Sequence, residues 1–184
     1  MLLIVSTATR DEELGVPSGD EQRRAESLKN PNEAYIVKFP PVGVDQVLGL
    51  LKVVHNLGGR ADAMYINDAV DADMGELSHV IDAAEMLGLL KAHGGDLELT
   101  PEGRLAVEKP VREFQKHLKK KLAHLEPFAS LLDMVKKGGR AEVEEVINFI
   151  KGHGYDDVGA RRIINWGVFA QLIEIDDGEW VIPA

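Results

Sequence analysis

From Val44 onward the apolar positions fall into two rhythms, one helical and one alternating. Val44, Val47, Leu48, Leu51 and Val54 follow the i, i+3, i+4, i+7 spacing of an amphipathic helix, which Gly58-Gly59 stops. Arg60–Val70 predicts a second, short helix. After the acidic turn Asp71-Ala-Asp73, the positions Leu77, Val80, Ile81, Ala84 and Leu87 predict a third, closed by Gly88. Leu89–Ala92 and Leu97–Leu99, on either side of His93-Gly94-Gly95-Asp96, read as a hairpin. Thr100-Pro101 then sets a capping hydroxyl before a proline at the first helical position, so another helix starts there and runs towards Lys109-Pro110.

The middle of the chain is helical too. Val111, Phe114, Leu118, Leu122 and Leu125 make one stripe, and Pro127 opens a new segment carrying Phe128, Leu131, Leu132 and Val135, with a joint near Glu126. Gly138-Gly-Arg-Ala141 then repeats Gly58-Gly-Arg-Ala61, and the next helix carries Val143, Val146, Ile147 and Ile150. The closing stretch Arg161–Pro183 is a helical pattern followed by Leu172–Ile175 and Glu179–Ile182 around Asp176-Asp177-Gly178. The shared order predicts a mainly α fold with small β-hairpins (α+β): tandem winged helix-turn-helix modules at residues 44–109 and 138–184, joined by a helical segment at 110–137. Residues 1–43 read as an arm. Thr7–Glu33 is polar and punctuated by Pro17, Gly19 and Pro31, with at most a short helix at Asp20–Leu28, and Ala34–Phe39 is an edge strand or extended arm stopped by Pro40-Pro41.

Composition narrows the function more than the fold. At 184 residues, 45% hydrophobic and 28% charged, the chain can bury one good core or two small ones. It has no cysteine, which excludes disulfides and thiolate metal sites, and no apolar run that spans a bilayer. The expectation is a cytoplasmic protein without direct membrane insertion. A net charge of −10 weighs against a nonspecific nucleic-acid binder, since a phosphate backbone is approached through a basic face. Between Arg60 and Leu87 the only basic residue is Arg60, against seven acidic ones, so a recognition helix there would repel phosphate.

A search for chemistry finds structural explanations for each candidate. The six histidines are scattered, and Glu113 with His117 is the nearest approach to a ligand pair, whereas a metal site needs three or four converging ligands. Asp71/Asp73 and Asp156/Asp157 stand just before predicted helices, where aspartate caps free N–H groups. No serine has a Gly-x-Ser-x-Gly context, and no Gly-x-x-x-x-Gly-Lys-Ser/Thr occurs to cradle a nucleotide. The expectation is a protein that is not an enzyme, with no catalytic, cofactor or metal residues.

Two basic clusters remain as candidate partner contacts. Arg161 and Arg162, with Asn165 and Trp166, could reach base edges or phosphates; the competing reading pairs both arginines with nearby acids or with a protein. Arg112, Lys116, Lys119, Lys120 and Lys121 form a positive island in the middle helix, suited to an acidic partner or a second copy of the chain. Trp180 is expected to anchor the hairpin to the core through its alternation with Ile182, and Trp166 to lie in the core or at an interface.

Val44–Lys52, Asn56–Arg60, Leu97–Gly103 and Ile163–Leu172 together resemble the AAA-associated C-terminal domain, which follows the ATPase domain in ATP-binding subunits of nitrate/sulfonate/taurine-type ABC transporters. The resemblance runs from Pro40 to the C-terminus. It implies an accessory or regulatory interaction module whose partner is a transport ATPase on another polypeptide. The alternatives are a winged-helix transcriptional regulator that binds DNA through the Arg161-Arg162 helix, and a structural oligomerisation domain.

Overall fold

Helix α1 (Val44–Asn56) turns Val47, Leu50, Leu51 and Val54 inward and ends where Gly58 and Gly59 adopt positive φ, a region glycine enters without a Cβ clash. Strand β1 (Arg60–Asp62), helix α2 (Ala63–Val70), helix α3 (Met74–Met86) and the hairpin β2 (Leu90–His93) and β3 (Asp96–Leu99) follow. Next come α4 (Pro101–Glu108), α5 (Val111–Leu122) and α6 (Phe128–Gly138). The order then recurs as β4 (Ala141–Glu142), α7 (Val143–Gly152), α8 (Asp157–Phe169), β5 (Ile173–Asp176) and β6 (Trp180–Pro183). The computed structural model describes residues 37–70 and 74–184. The expectations for Thr7–Glu33, Asp20–Leu28 and the turn Asp71–Asp73 lie outside the described residues.

The fold is mainly helical with two small antiparallel sheets, an α+β architecture with eight helices among the described residues. The sheets have the same order, β1-β3-β2 and β4-β6-β5. In each, the alanine of the Gly-Gly-Arg-Ala motif faces a buried residue of the last strand, Ala61 opposite Leu97 and Ala141 opposite Val181. The third helices end alike: Gly88 and Gln171 both have positive φ, of 71° and 57°, and the next amides return to Ala84 O and Gly167 O at 2.8 and 2.9 Å.

Two expectations at this level are corrected. Arg60–Asp62 is an edge strand and not the start of a helix, because its partner β3 lies far along the chain and three residues are too few to show a period. Trp180 is not the residue that anchors the second hairpin. Val181 takes the core face opposite Ala141, so strand alternation puts Trp180 on the other face, half-buried with the Arg140 guanidinium 4.0 Å above its ring.

Val37–Ala184 forms one compact unit with a single contiguous core drawn from both repeats. Thr100 caps α4 as expected, accepting from the Gly103 N–H at 3.1 Å. A side chain on Gly103 would run into the Leu89 carbonyl, so glycine is what lets α4 lie against the start of β2. Helix α5 braces the two repeats at corresponding places. His117 Nε2 hydrogen-bonds Leu87 O at 2.9 Å, just past α3, while Gln115 Nε2 donates to Phe169 O at 2.9 Å, at the end of α8.

Candidate interaction surfaces

Helix α8 begins at Asp156, whose carboxylate accepts from the Gly159 N–H at 2.7 Å, the capping role expected of it. One turn on, Arg161 Nε donates to Asp157 at 3.2 Å, and its Nη2 lies 3.8 Å from Glu144. Lys151 reaches Asp157 from the other side at 3.3 Å. Hydrogen bonds from Arg161 and then Lys151 hold the Asp157 carboxyl below the usual carboxylate range. Arg162 Nη1 donates to Pro41 O at 2.9 Å. Both guanidinium groups are therefore engaged within the chain, and Asn165 alone of this cluster is exposed without a hydrogen bond among the described residues.

Trp166 is a correction to the candidate contacts. It is fully buried, with its Nε1 donating to Val42 O at 2.8 Å, and has no surface to offer a partner. Its ring lies 5.5 Å from that of Phe39, which in turn sits 5.3 Å from Phe128. The same segment is held by Tyr155, whose hydroxyl donates to Phe39 O at 2.8 Å, and by its own amide, which donates to Glu126 O at 3.1 Å. Burial, and secondarily the Glu126 charge, push the Tyr155 phenol up to about 12. The described end of the arm expected over residues 1–43 thus contributes two core residues, Phe39 and Val42. In the sequence Pro40-Pro41 marks only an extended backbone; the burial of Phe39 comes from Phe128 and Trp166, far along the chain.

Helix α5 differs. Its buried face is Phe114, Leu118 and Leu122, and at about 100° per residue the opposite face carries Arg112, Lys116 and Lys120, with Lys119 beside them. Lys121 falls on the flank, next to Gly88. All five are exposed, and none forms an ion pair among the described residues. Arg60, in contrast, holds Asp96 at 2.6 Å, and Lys137 holds Asp133 at 2.6 Å. His117 of the Glu113/His117 pair points back to Leu87 O.

Sequence reasoning missed one further feature. Between α1 and α3 lies an apolar cavity of about 240 Å³ lined by Leu50, Val53, Ile66, Leu77 and Val80. The hydrogen-bonded pair Gln46 and Glu76 also lines it, and the neighbouring α2 residues Met64 and Tyr65 are well exposed. No sequence signal marks it, because the lining positions satisfy the same helical periodicity as the core.

The family described as the C-terminal AAA-associated domain matches residues 64–176, more than half of the chain, from α2 to the end of β5. No curated protein matches the chain. Among the described residues, no helix is long and apolar enough to cross a membrane.

Proposed function

The chain belongs to the C-terminal AAA-associated domain family, and from that premise we propose that it is a non-enzymatic accessory or regulatory module of an AAA- or ABC-type ATPase. The nucleotide-binding machinery comes from outside these residues, which carry no phosphate-cradling Gly-x-x-x-x-Gly-Lys-Ser/Thr. The transporter class is the nitrate/sulfonate type that the resemblance implies, and the working compartment is the cytoplasm. The two repeats are winged-helix modules in tandem, residues 44–109 and 138–184, with the segment 110–137 presenting the docking helix.

Family membership carries the choice of partner, and the exposed cations of α5, which pair with no acid among the described residues, support the choice of surface. Arg112, Lys116, Lys119 and Lys120, with Lys121 on the flank, form a predominantly basic face that also carries exposed Glu113, on a protein of net charge −10, which fits an acidic face of the ATPase. A second copy of the chain is the competing occupant. The DNA reading through Arg161 and Arg162 is disfavoured, since both are already bound to Asp157 and Pro41 O.

Co-purification of the chain with a transport ATPase, repeated at low and high salt, tests the proposal. Capture at low salt that is lost near 0.5 M salt, about where screening shortens to a few ångströms, is the expected result. Absence of any ATPase at low salt, or retardation of a short DNA duplex that Arg161→Glu abolishes, would overturn it.

A further inference from the structure

Lys38–Val42 is fastened to the second repeat differently from the helices and strands around it. Pro40 and Pro41 have no N–H, and the Val42 N–H turns back to Pro40 O at 2.8 Å. The Phe39 N–H, bound to Glu126 O at 3.1 Å, is therefore the one amide that the segment donates to another element among the described residues. The rest of the hold comes from side chains. Tyr155, Arg162 and Trp166 donate to the carbonyls of Phe39, Pro41 and Val42, and the Phe39 ring stands edge-on to Phe128 and Trp166. Lys38 Nζ lies over Gly154, just past the end of α7, where a cation meets the negative end of the helix. Pro41 sits on Gly159, so close that a Cβ there would come within 3.0 Å of it.

Aromatic walls for a ring, with N–H and O–H donors for carbonyls that no ladder satisfies, are what an extended proline-bearing ligand needs. The repeat itself does not need them. Aligning Leu89-Leu90 with Leu172-Ile173, which follow the third helices, the first repeat has Ala83 for Trp166, His79 for Arg162 and Glu76 for Gly159, yet keeps the same sheet order. The seat on α8 is thus built for the segment, which is held as a ligand is held.

Such a segment can leave without breaking the fold. Lys38–Val42 belongs to no helix, and its one sheet-like contact is a single bridge from Lys38 to Glu126. It continues into the core only through Gly43 at the start of α1, and Lys38 and Pro41 are exposed. Its departure uncovers Phe128 and leaves the buried Trp166 N–H without its acceptor, which favours refilling by the same segment or one of its pattern.

We propose that Lys38–Val42 is a releasable strap, the cis ligand of a recognition site on α6 and α8 for extended Phe-Pro-Pro-Val segments, which opens when the strap is drawn off and closes when it reseats. The strap is also the covalent link between residues 1–36 and the compact unit, so a partner that binds those residues has a direct way to open the site. The proposal does not depend on what α5 meets.

Hydrogen exchange on the unaltered chain tests whether the strap opens by itself. The Phe39 amide should exchange at least roughly a hundredfold faster than that of Ile164 in the middle of α8. Equal protection would overturn the proposal, since strap and repeat would then open as one, and this result stands whether or not any variant folds. Recognition is tested with a capped peptide of the sequence of residues 37–43, added to chains carrying Trp180→Phe, in which Trp166 is the sole tryptophan and its emission reports its cover. Phe39→Ala should shift that emission to the red and the peptide should return it towards the blue. The peptide should bind the Phe39→Ala chain at least roughly tenfold tighter than the chain with its strap intact, because a filled seat lowers the fraction of chains open to a competitor. No binding to folded Phe39→Ala, or equal binding of a control peptide with alanine for its phenylalanine, would overturn the proposal. So would a concentration-dependent dimer of the unaltered chain that the peptide dissociates, since the seat would then be filled by a second copy.

Discussion

The two repeats have the same skeleton and different packing around it. The second closes its first-to-third-helix space with Phe39–Val42, a segment from outside the repeat, and devotes Trp166, Tyr155 and Arg162 to holding it. The first has Ala83 and His79 where Trp166 and Arg162 stand, and among its described residues an apolar cavity lies between α1 and α3. Element order and core periodicity are thus what the two repeats share, and the packing around their first and third helices is where they differ.

The largest test of that contrast is Phe39→Ala. A phenylalanine buried among Phe128 and Trp166 should cost about 3–5 kcal/mol of stability on truncation, measured by chemical denaturation. An effect below about 1 kcal/mol would show that the segment merely rests on the second repeat. Next in size is the helix end. Gly88→Gln places a side chain at φ 71° and should destabilise by about 1–2 kcal/mol, whereas Gln171→Gly at φ 57° should stabilise by up to about 1 kcal/mol, opposite signs at matching positions.

The pH dependence separates the repeats further. The Tyr155 phenol is raised, so the stability it lends the second repeat is complete below its unfolded value of 10.0 and is lost as pH rises towards about 12. Thermal melts from pH 9 upward should show that loss in the wild type and a flatter profile in Tyr155→Phe. Asp157 is shifted the other way by Arg161 and Lys151, so its contribution is present above the usual carboxylate range and disappears as pH falls through it. The smallest effect is that of Arg161→Ala. This removes only exposed pairs and should change stability by no more than about 1 kcal/mol.

Helix periodicity and the recurrence of Gly-Gly-Arg-Ala made most of the skeleton legible in the sequence, because amphipathic spacing and helix stops are local signals. The short strands β1 and β4 were illegible for the opposite reason, since each exists only through pairing with a strand far along the chain. Trp180 was misplaced by parity: which residue of an alternating run faces inward is fixed by the partner strand, here by Ala141 opposite Val181. The basic residues of α5 were legible as a cluster, but only the structure separates them from Arg161 and Arg162, whose partners Glu144 and Pro41 come from other elements. Pro40-Pro41 looked like the end of an arm because nothing local to it reveals the pocket made by α6 and α8.

Docking is proposed to run through the exposed cations of α5, unpaired among the described residues, and not through the engaged arginines of α8. The most direct measurement is the affinity of the chain for its ATPase partner, determined in parallel for Lys116→Glu/Lys120→Glu and for Arg161→Glu. The account predicts that the double reversal on α5 weakens binding by roughly a hundredfold, about 2–3 kcal/mol, and that Arg161→Glu leaves it within about threefold. Unchanged binding by the α5 variant together with loss of binding by Arg161→Glu would contradict it.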